Sequence, residues 1–198
     1  MYWFNVIFEQ LITIPREGFQ IKTVTAYDSQ TKKWVFLYMN ISENSRVWIY
    51  QSDRVLNTEE EQRIQQKLDD FTSQWLAHGH QLSACGEIRH SQFLILSVDE
   101  QVTGATGCSI DKSVYLMKEI EQDLGIGLFD RFRIAYREGD RVVNCSKTEF
   151  EERLNEGELS PDTIVFNNMI SSRKELDSSW EVAMKDSWHA QVFGGKVS

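Results

Sequence analysis

Residues 93–125 constrain this chain more than any other stretch. They read FLILSVDE, QVTGATG, CSID and KSVYLMKEIEQDLG: a strand apolar at successive positions, a loop containing glycines, and an amphipathic helix. A strand greasy on both sides belongs inside a covered sheet, because water on either face would forfeit apolar burial. Ile110, Val114, Met117, Ile120 and Leu124 recur at three- or four-residue spacing along one side of the helix, and Gly125 ends it. Cys108 and Ser109 fall in its first turn. A helix start carries unpaired N–H groups and partial positive charge, which can hold an anion or lower a thiol pKa. Gly104, Gly107, Cys108, Ser109 and Asp111 are therefore the candidate ligand- or anion-binding residues, with Cys108 the candidate nucleophile.

The pattern upstream is equally regular from Arg46. Val47, Trp48, Ile49 and Tyr50 make a short, wholly apolar strand. Asn57-Thr58 opens a helix, with Thr58 and Glu61 read as a capping box. Ile64, Leu68, Phe71 and Trp75 give that helix one apolar face, and Gly79 is its expected stop. Strands follow at residues 82–88 and 93–98, separated by Arg89-His90-Ser91-Gln92, and a fourth at residues 131–137, where Phe132, Ile134 and Tyr136 alternate with arginines. The order β-α-β-β-α-β predicts an α+β, ferredoxin-like core over residues 46–138, a four-stranded antiparallel sheet with two helices on one face. The first and third strands are expected at its centre and the second and fourth at its edges. Its other face needs a cover too, from the N-terminal hairpin, the C-terminal segment or a second copy of the chain.

Two segments flank this core. Residues 1–45 form an N-terminal extension or hairpin, with GFQIKTVTAYD and WVFLYM as strands alternating at Phe19, Ile21 and Val24 and from Trp34 to Tyr38. Met39 precedes the compact pattern, so a native start there, with residues 1–38 outside the fold, stays open. Residues 139–198 read as a C-terminal α/β appendage. Glu138-Gly139-Asp140-Arg141 is a turn before Val142-Val143, Ser146 and Glu149 make a capping box for a short helix bearing Phe150 and Leu154, Gly157 stops it, and Ile164-Val165-Phe166 is strand-like. Trp180 and Trp188 are expected to pin the tail to the body.

The net charge of −9, with no basic run, argues against nucleic acid or an anionic membrane surface as the main partner. Arg131, Arg133 and Arg137 read as the solvated face of an edge strand. Cys85, Cys108 and Cys145 are an odd set without a CxxC pair, which disfavours a disulfide framework and fits a reducing cytoplasm. His78, His80, His90 and His189 show no zinc-ligand spacing with cysteine, so no metal site is expected, and His78 and His80 read as groups satisfying the end of the first helix. No apolar run approaches ~18 residues, the length that predicts a membrane span. The apolar N-terminus lacks a basic start and a small-residue cleavage site, so a signal peptide is disfavoured.

The glycine loop fits no established nucleotide motif. A Walker phosphate loop needs Lys then Ser/Thr after its last glycine, where this chain has Cys108-Ser109. Gly194-Gly195-Lys196 has no helix after it, and Gly125-Ile126-Gly127 is only a fragment of a dinucleotide fingerprint. No cofactor is implied. Cys108 as a nucleophile wants a histidine base, which His90 could supply in space. Asp99, Glu100 and Asp111 flank the loop and could do acid–base work, though Asp111 also complements the helix dipole.

At RVWIYQSDR, FLILSVDEQVTGATGCSIDKSVYLMKEI, FDRFRIAYR and PDTIVFNN with SWE and SWHA, the chain resembles a small uncharacterised bacterial family whose members sometimes carry the label "ABC transporter ATPase". The resemblance covers roughly residues 46–193. The label implies ATP hydrolysis, but the chain has neither a Walker A lysine nor an LSGGQ-type signature, so no catalytic residue carries over. Residues 149–166, EFEERLNEGELSPDTIVF, also resemble the helix-then-strand half of GYF-like modules, without the aromatic features that would define peptide binding. The leading expectation is a cytoplasmic, acidic, non-catalytic protein-interaction module that meets another protein or itself. The alternative is a small anion- or nucleotide-binding protein, or a thiol enzyme, using the loop of residues 104–111.

Overall fold

The computed structural model describes residues 11–13, 22–28, 33–38, 41–101 and 103–194. It divides into two compact units, Met1–Ser42 and Glu43–Ser198. The first holds β1 (Leu11–Thr13), β2 (Lys22–Asp28) and β3 (Lys33–Tyr38), antiparallel in the order β1-β2-β3. The expected hairpin forms, with Thr23 opposite Tyr38 and Asp28 opposite Lys33. Phe19 and Ile21, expected in its first strand, lie outside the described residues.

The second unit begins β4 (Arg46–Gln51), α1 (Thr58–Ser73), β5 (Leu76–Ala77), β6 (His80–Gln81), β7 (Ser83–Arg89), β8 (Phe93–Asp99), α2 (Gly107–Leu124). It continues with β9 (Ile134–Glu138), β10 (Arg141–Cys145), α3 (Lys147–Asn155), β11 (Ile164–Phe166), α4 (Arg173–Ser178), β12 (Glu181–Ala183), a 3-10 turn at Met184–Asp186 and α5 (Trp188–Phe193). The fold is mixed α and β with antiparallel sheets.

β8 is the middle of a three-stranded sheet ordered β4-β8-β7, and Phe93 through Leu96 are all fully buried. Alternation sends Leu94, Leu96 and Val98 to one face, where Ile64 and Leu68 of α1 and Leu116, Met117 and Ile120 of α2 cover them. Phe93 and Ile95 go to the other face with Val47, against Ala135, Phe166, Leu176 and Trp180. The C-terminal segment supplies that cover through Phe166, Leu176 and Trp180.

The four-stranded ferredoxin-like sheet does not form. β9, expected as its fourth strand, pairs with β10 and β11 in a second sheet ordered β10-β9-β11-β12. Gly139, at φ +61°, turns β9 straight back into β10, so the local hairpin captures the strand before it can reach β4. The place beside β4 goes instead to residues 171–173. Val47 N–H donates to Ser171 O at 3.0 Å and Arg173 N–H to Ser45 O at 2.8 Å. β4 is thus a sheet edge closed by a bridge, and β9 is interior rather than an edge strand. Its far face packs Ile134 and Tyr136 against Phe150 and Leu154 of α3 and Phe193 of α5. The unit is therefore four layers: α1 and α2, the β4-β8-β7 sheet, the second sheet, then α3 and α5.

Local signals differ in detail. The first capping box is Asn57 with Glu60, one residue earlier than Thr58 with Glu61. Arg54 grips Glu60 through both its oxygens at 2.7 and 2.8 Å, which together with the Asn57 N–H holds the carboxyl down at about 2. α1 stops before Gly79. His78 (φ +49°) and Gly79 (φ +80°) form the two-residue turn between β5 and β6, so neither histidine serves the helix end. Gly125 ends α2 in the left-handed conformation and Ser146–Glu149 caps α3, both as expected.

Two measurements check this packing. A Cβ at Gly86 would lie 2.7 Å from Leu68 Cβ, so Gly86→Ala should push α1 off the sheet and lose about 1–3 kcal/mol in urea unfolding. His189 is 1% exposed, and burial holds its pKa down at about 4. The unfolded chain therefore takes up a proton that the fold refuses as pH drops from about 6.5 to 4, and stability declines through that window. The loss should approach roughly 3 kcal/mol, and His189→Gln should flatten it in urea titrations across that range.

Candidate functional site

The strand–loop–helix of residues 93–125 forms as read, and it places the candidate residues unequally. Thr106 is the N-cap of α2. Ser109 is its partner three residues on. The Ser109 hydroxyl accepts from Thr106 N–H at 2.7 Å and donates to Thr106 O at 2.9 Å, while Ser109 N–H donates to Thr106 Oγ1 at 3.3 Å. Ser109 is 1% exposed, and its carbonyl accepts from Trp75 Nε1 at 2.8 Å. Its hydroxyl is thus committed to the helix start, and its carbonyl anchors that start on the end of α1.

The remaining candidates face outward. Gly104, Gly107, Cys108 and Asp111 are exposed, and a Cβ added at Gly104 or Gly107 would meet nothing within 4 Å. The glycines therefore do not clear space for a close ligand. The loop already contains a carboxylate: Glu100 Oε1 accepts from Ala105 N–H at 3.0 Å, with Arg46 3.9 Å away on its other side. Asp99 accepts from Gln101 N–H at 3.1 Å, closing the turn after β8.

Cys108 and His90 stand at opposite ends of β8. His90 lies in the turn before Phe93, Cys108 lies beyond Asp99, and the strand between them spans about 20 Å. The structure does not bring them together. Cys85 and Cys145 are buried with no disulfide, and burial pushes each thiol up to about 11. Among the described residues, no group of three or more His, Cys, Asp or Glu is placed to hold a metal ion.

What His90 does meet is a cluster with no sequence signature. Its Nε2 lies 2.9 Å from Glu181 Oε1, and Arg137 grips the same carboxylate through Nε at 2.7 Å and Nη2 at 3.0 Å. The imidazole stacks on Trp180 at 5.6 Å and meets Phe166 edge-on at 5.4 Å. Burial lowers the His90 pKa, with Glu181 opposing and Arg137 and Arg89 assisting. Burial works to raise the Glu181 pKa, but Arg137 and His90 hold it below the usual carboxylate value. These residues come from the β7–β8 turn, β9 and β12, separated by 44 and 91 residues, so no motif spacing could reveal them.

No protein-family model, curated protein or solved structure matches the chain. No helix among the described residues is long and apolar enough to cross a membrane.

Ser109→Ala should therefore act on stability, losing about 0.5–2 kcal/mol through the cap. A thiol probe should label Cys108 in the folded protein and reach Cys85 and Cys145 only on unfolding; modification of either buried thiol at the rate of Cys108 would contradict the burial described above.

Proposed function

We propose that this is a non-catalytic, cytoplasmic protein-interaction module, and that the loop of residues 129–132 is what it presents to its partner. One observation carries the reading: Phe132 is 75% exposed on a loop that is nonetheless held in shape. Asp130 Oδ1 accepts from Phe132 N–H at 3.0 Å, Asp130 O accepts from Arg133 N–H at 3.4 Å, and Phe129 rests edge-on against Tyr50 at 5.5 Å. An ordered loop that keeps an aromatic ring in water has already spent the entropy that binding would otherwise cost. Arg131 is exposed between the two rings, so the fitting partner offers an apolar hollow with a carboxylate at its rim.

The unpaired cysteines support a reducing compartment. The resemblance to the small bacterial family is retained in this reading. Its ATPase label is set aside, because the loop lacks a Walker A lysine, and its Ala105 N–H is already held by Glu100. The thiol or anion-binding alternative at Cys108 and Asp111 rests on their exposure alone.

Affinity capture from cytoplasm with the full chain tests the proposal. Phe132→Ser should lose the partner, or dissociate a self-associated form in sedimentation, while changing stability by no more than about 0.5 kcal/mol. Undiminished capture by that variant would rule the loop out.

A further inference from the structure

A hollow of about 490 Å³ opens on the outer side of the second sheet, between the β9–β10 turn, the end of α3 and the residues leading into β11. Tyr136 lines it. This residue is 0% exposed, yet its hydroxyl has no hydrogen-bond partner among the described residues. Its ring packs edge-on against Phe150 at 5.7 Å, a contact that phenylalanine would make equally well without burying an unpaired hydroxyl. No hydrogen bond among the described residues uses the oxygen, and Arg153, Glu138 and Glu158 lie near enough to act on it. Burial raises the phenol pKa; Arg153 opposes that, while Cys145, Glu138 and Glu158 add to it.

The charges around the hollow are of both signs. Among the described residues the Arg153 guanidinium is tied by a 3.5 Å contact to Glu158 alone, and its side chain is 39% exposed. Glu138 and Asp162 line the hollow but are held by cations outside it, Arg141 at 2.9 Å and Lys185 at 2.6 Å. An anionic group entering the hollow thus finds the Arg153 guanidinium, the phenol oxygen of Tyr136 being covered, and a cationic group finds carboxylates. Leu159 and Ile164 add an apolar wall. The volume lies within the ordinary range of small-molecule sites, about 300–1,000 Å³.

We propose that this hollow binds a small zwitterion of the α-amino-acid type, its carboxylate on Arg153 and, as the lining gives way to it, on the Tyr136 hydroxyl that the unliganded fold covers, and its ammonium toward Glu138, Glu158 and Asp162. The apolar wall selects an aliphatic or aromatic side chain. This site is separate from the loop of residues 129–132 and does not depend on the interaction reading.

The test is titration of the full chain with free leucine and free phenylalanine, followed by calorimetry and thermal unfolding, beside N-acetyl-leucine, leucinamide and inorganic phosphate. At least one free amino acid should bind and raise the melting temperature. Removing either charge of the ligand should weaken binding about tenfold or more, as should Arg153→Gln or Tyr136→Phe. Ligand-free Tyr136→Phe should melt no lower than the parent, which separates a lost contact from a damaged core. The proposal is overturned if neither amino acid binds, if the acetylated or amidated form binds as well, if phosphate alone binds, or if ligand-free Tyr136→Phe is destabilised.

Discussion

Phe93, Leu94, Ile95, Leu96 and Val98 are all withdrawn from water, so β8 must be sealed on both faces at once, and the layers of the larger unit follow from how that is achieved. Each such side chain contributes roughly 1.5–3 kcal/mol on burial, against about 0.5–1.5 kcal/mol for a typical hydrogen bond. The face toward α1 and α2 is closed by elements adjacent in sequence. The other is closed by residues 135–180, which are distant, and that requirement recruits a second sheet. Once that sheet sits on β8, its own far face is apolar too, and α3 and α5 are needed to finish it. One doubly greasy strand thus accounts for the order of four layers.

The joint between the sheets is fastened at the turn before β8. His90 and Ser91 both hold positive φ, at +52° and +54°, a conformation uncommon for side chains of this kind. Such strain persists only where the surroundings over-determine it. Here the imidazole is fixed between Trp180 and Phe166 and reaches Glu181, which Arg137 has already gripped at two points. Arg173 and Glu87 make a second fastening at 2.6 Å, from α4 to the neighbouring strand β7. The two sheets are registered by charge-assisted bonds at their rim and by aromatic packing at their centre, so neither sheet is a free-standing fold.

Sequence reading recovers what short-range physics controls. α2 and its apolar side, the central place of β8, the cap at Ser146 and the stop at Gly125 all depend on residues within a turn or two of each other. Capping boxes slip by one where neighbours are chemically equivalent: Asn57 and Thr58 are both good caps, and the box that forms is the one whose Glu60 is also clamped by Arg54. The fate of β9 is a harder case. Alternation at Ile134 and Tyr136 tells that it is a strand, yet its partner is chosen by competition between β4 and a hairpin closed by Gly139. The turn at residues 138–141 was visible, but nothing local announced that residues 171–173 would occupy the edge of β4.

The same contrast separates the two places where a ligand could be sought. The start of α2 has the look of an anion site because glycines and a hydroxyl precede a helix. In the fold, however, Ser109 has closed its own capping ring and Glu100 has taken the N–H of Ala105, so an incoming anion would meet a tethered carboxylate of like charge beside the helix start. The hollow beside Tyr136 is assembled from β9, α3 and the approach to β11, none of which carries a motif, and Tyr136 keeps beside it a buried hydroxyl with no partner among the described residues. Binding energy comes from groups whose needs the fold has not met. By that measure a pattern that satisfies itself offers a ligand less than an orphaned oxygen beside a loosely held arginine.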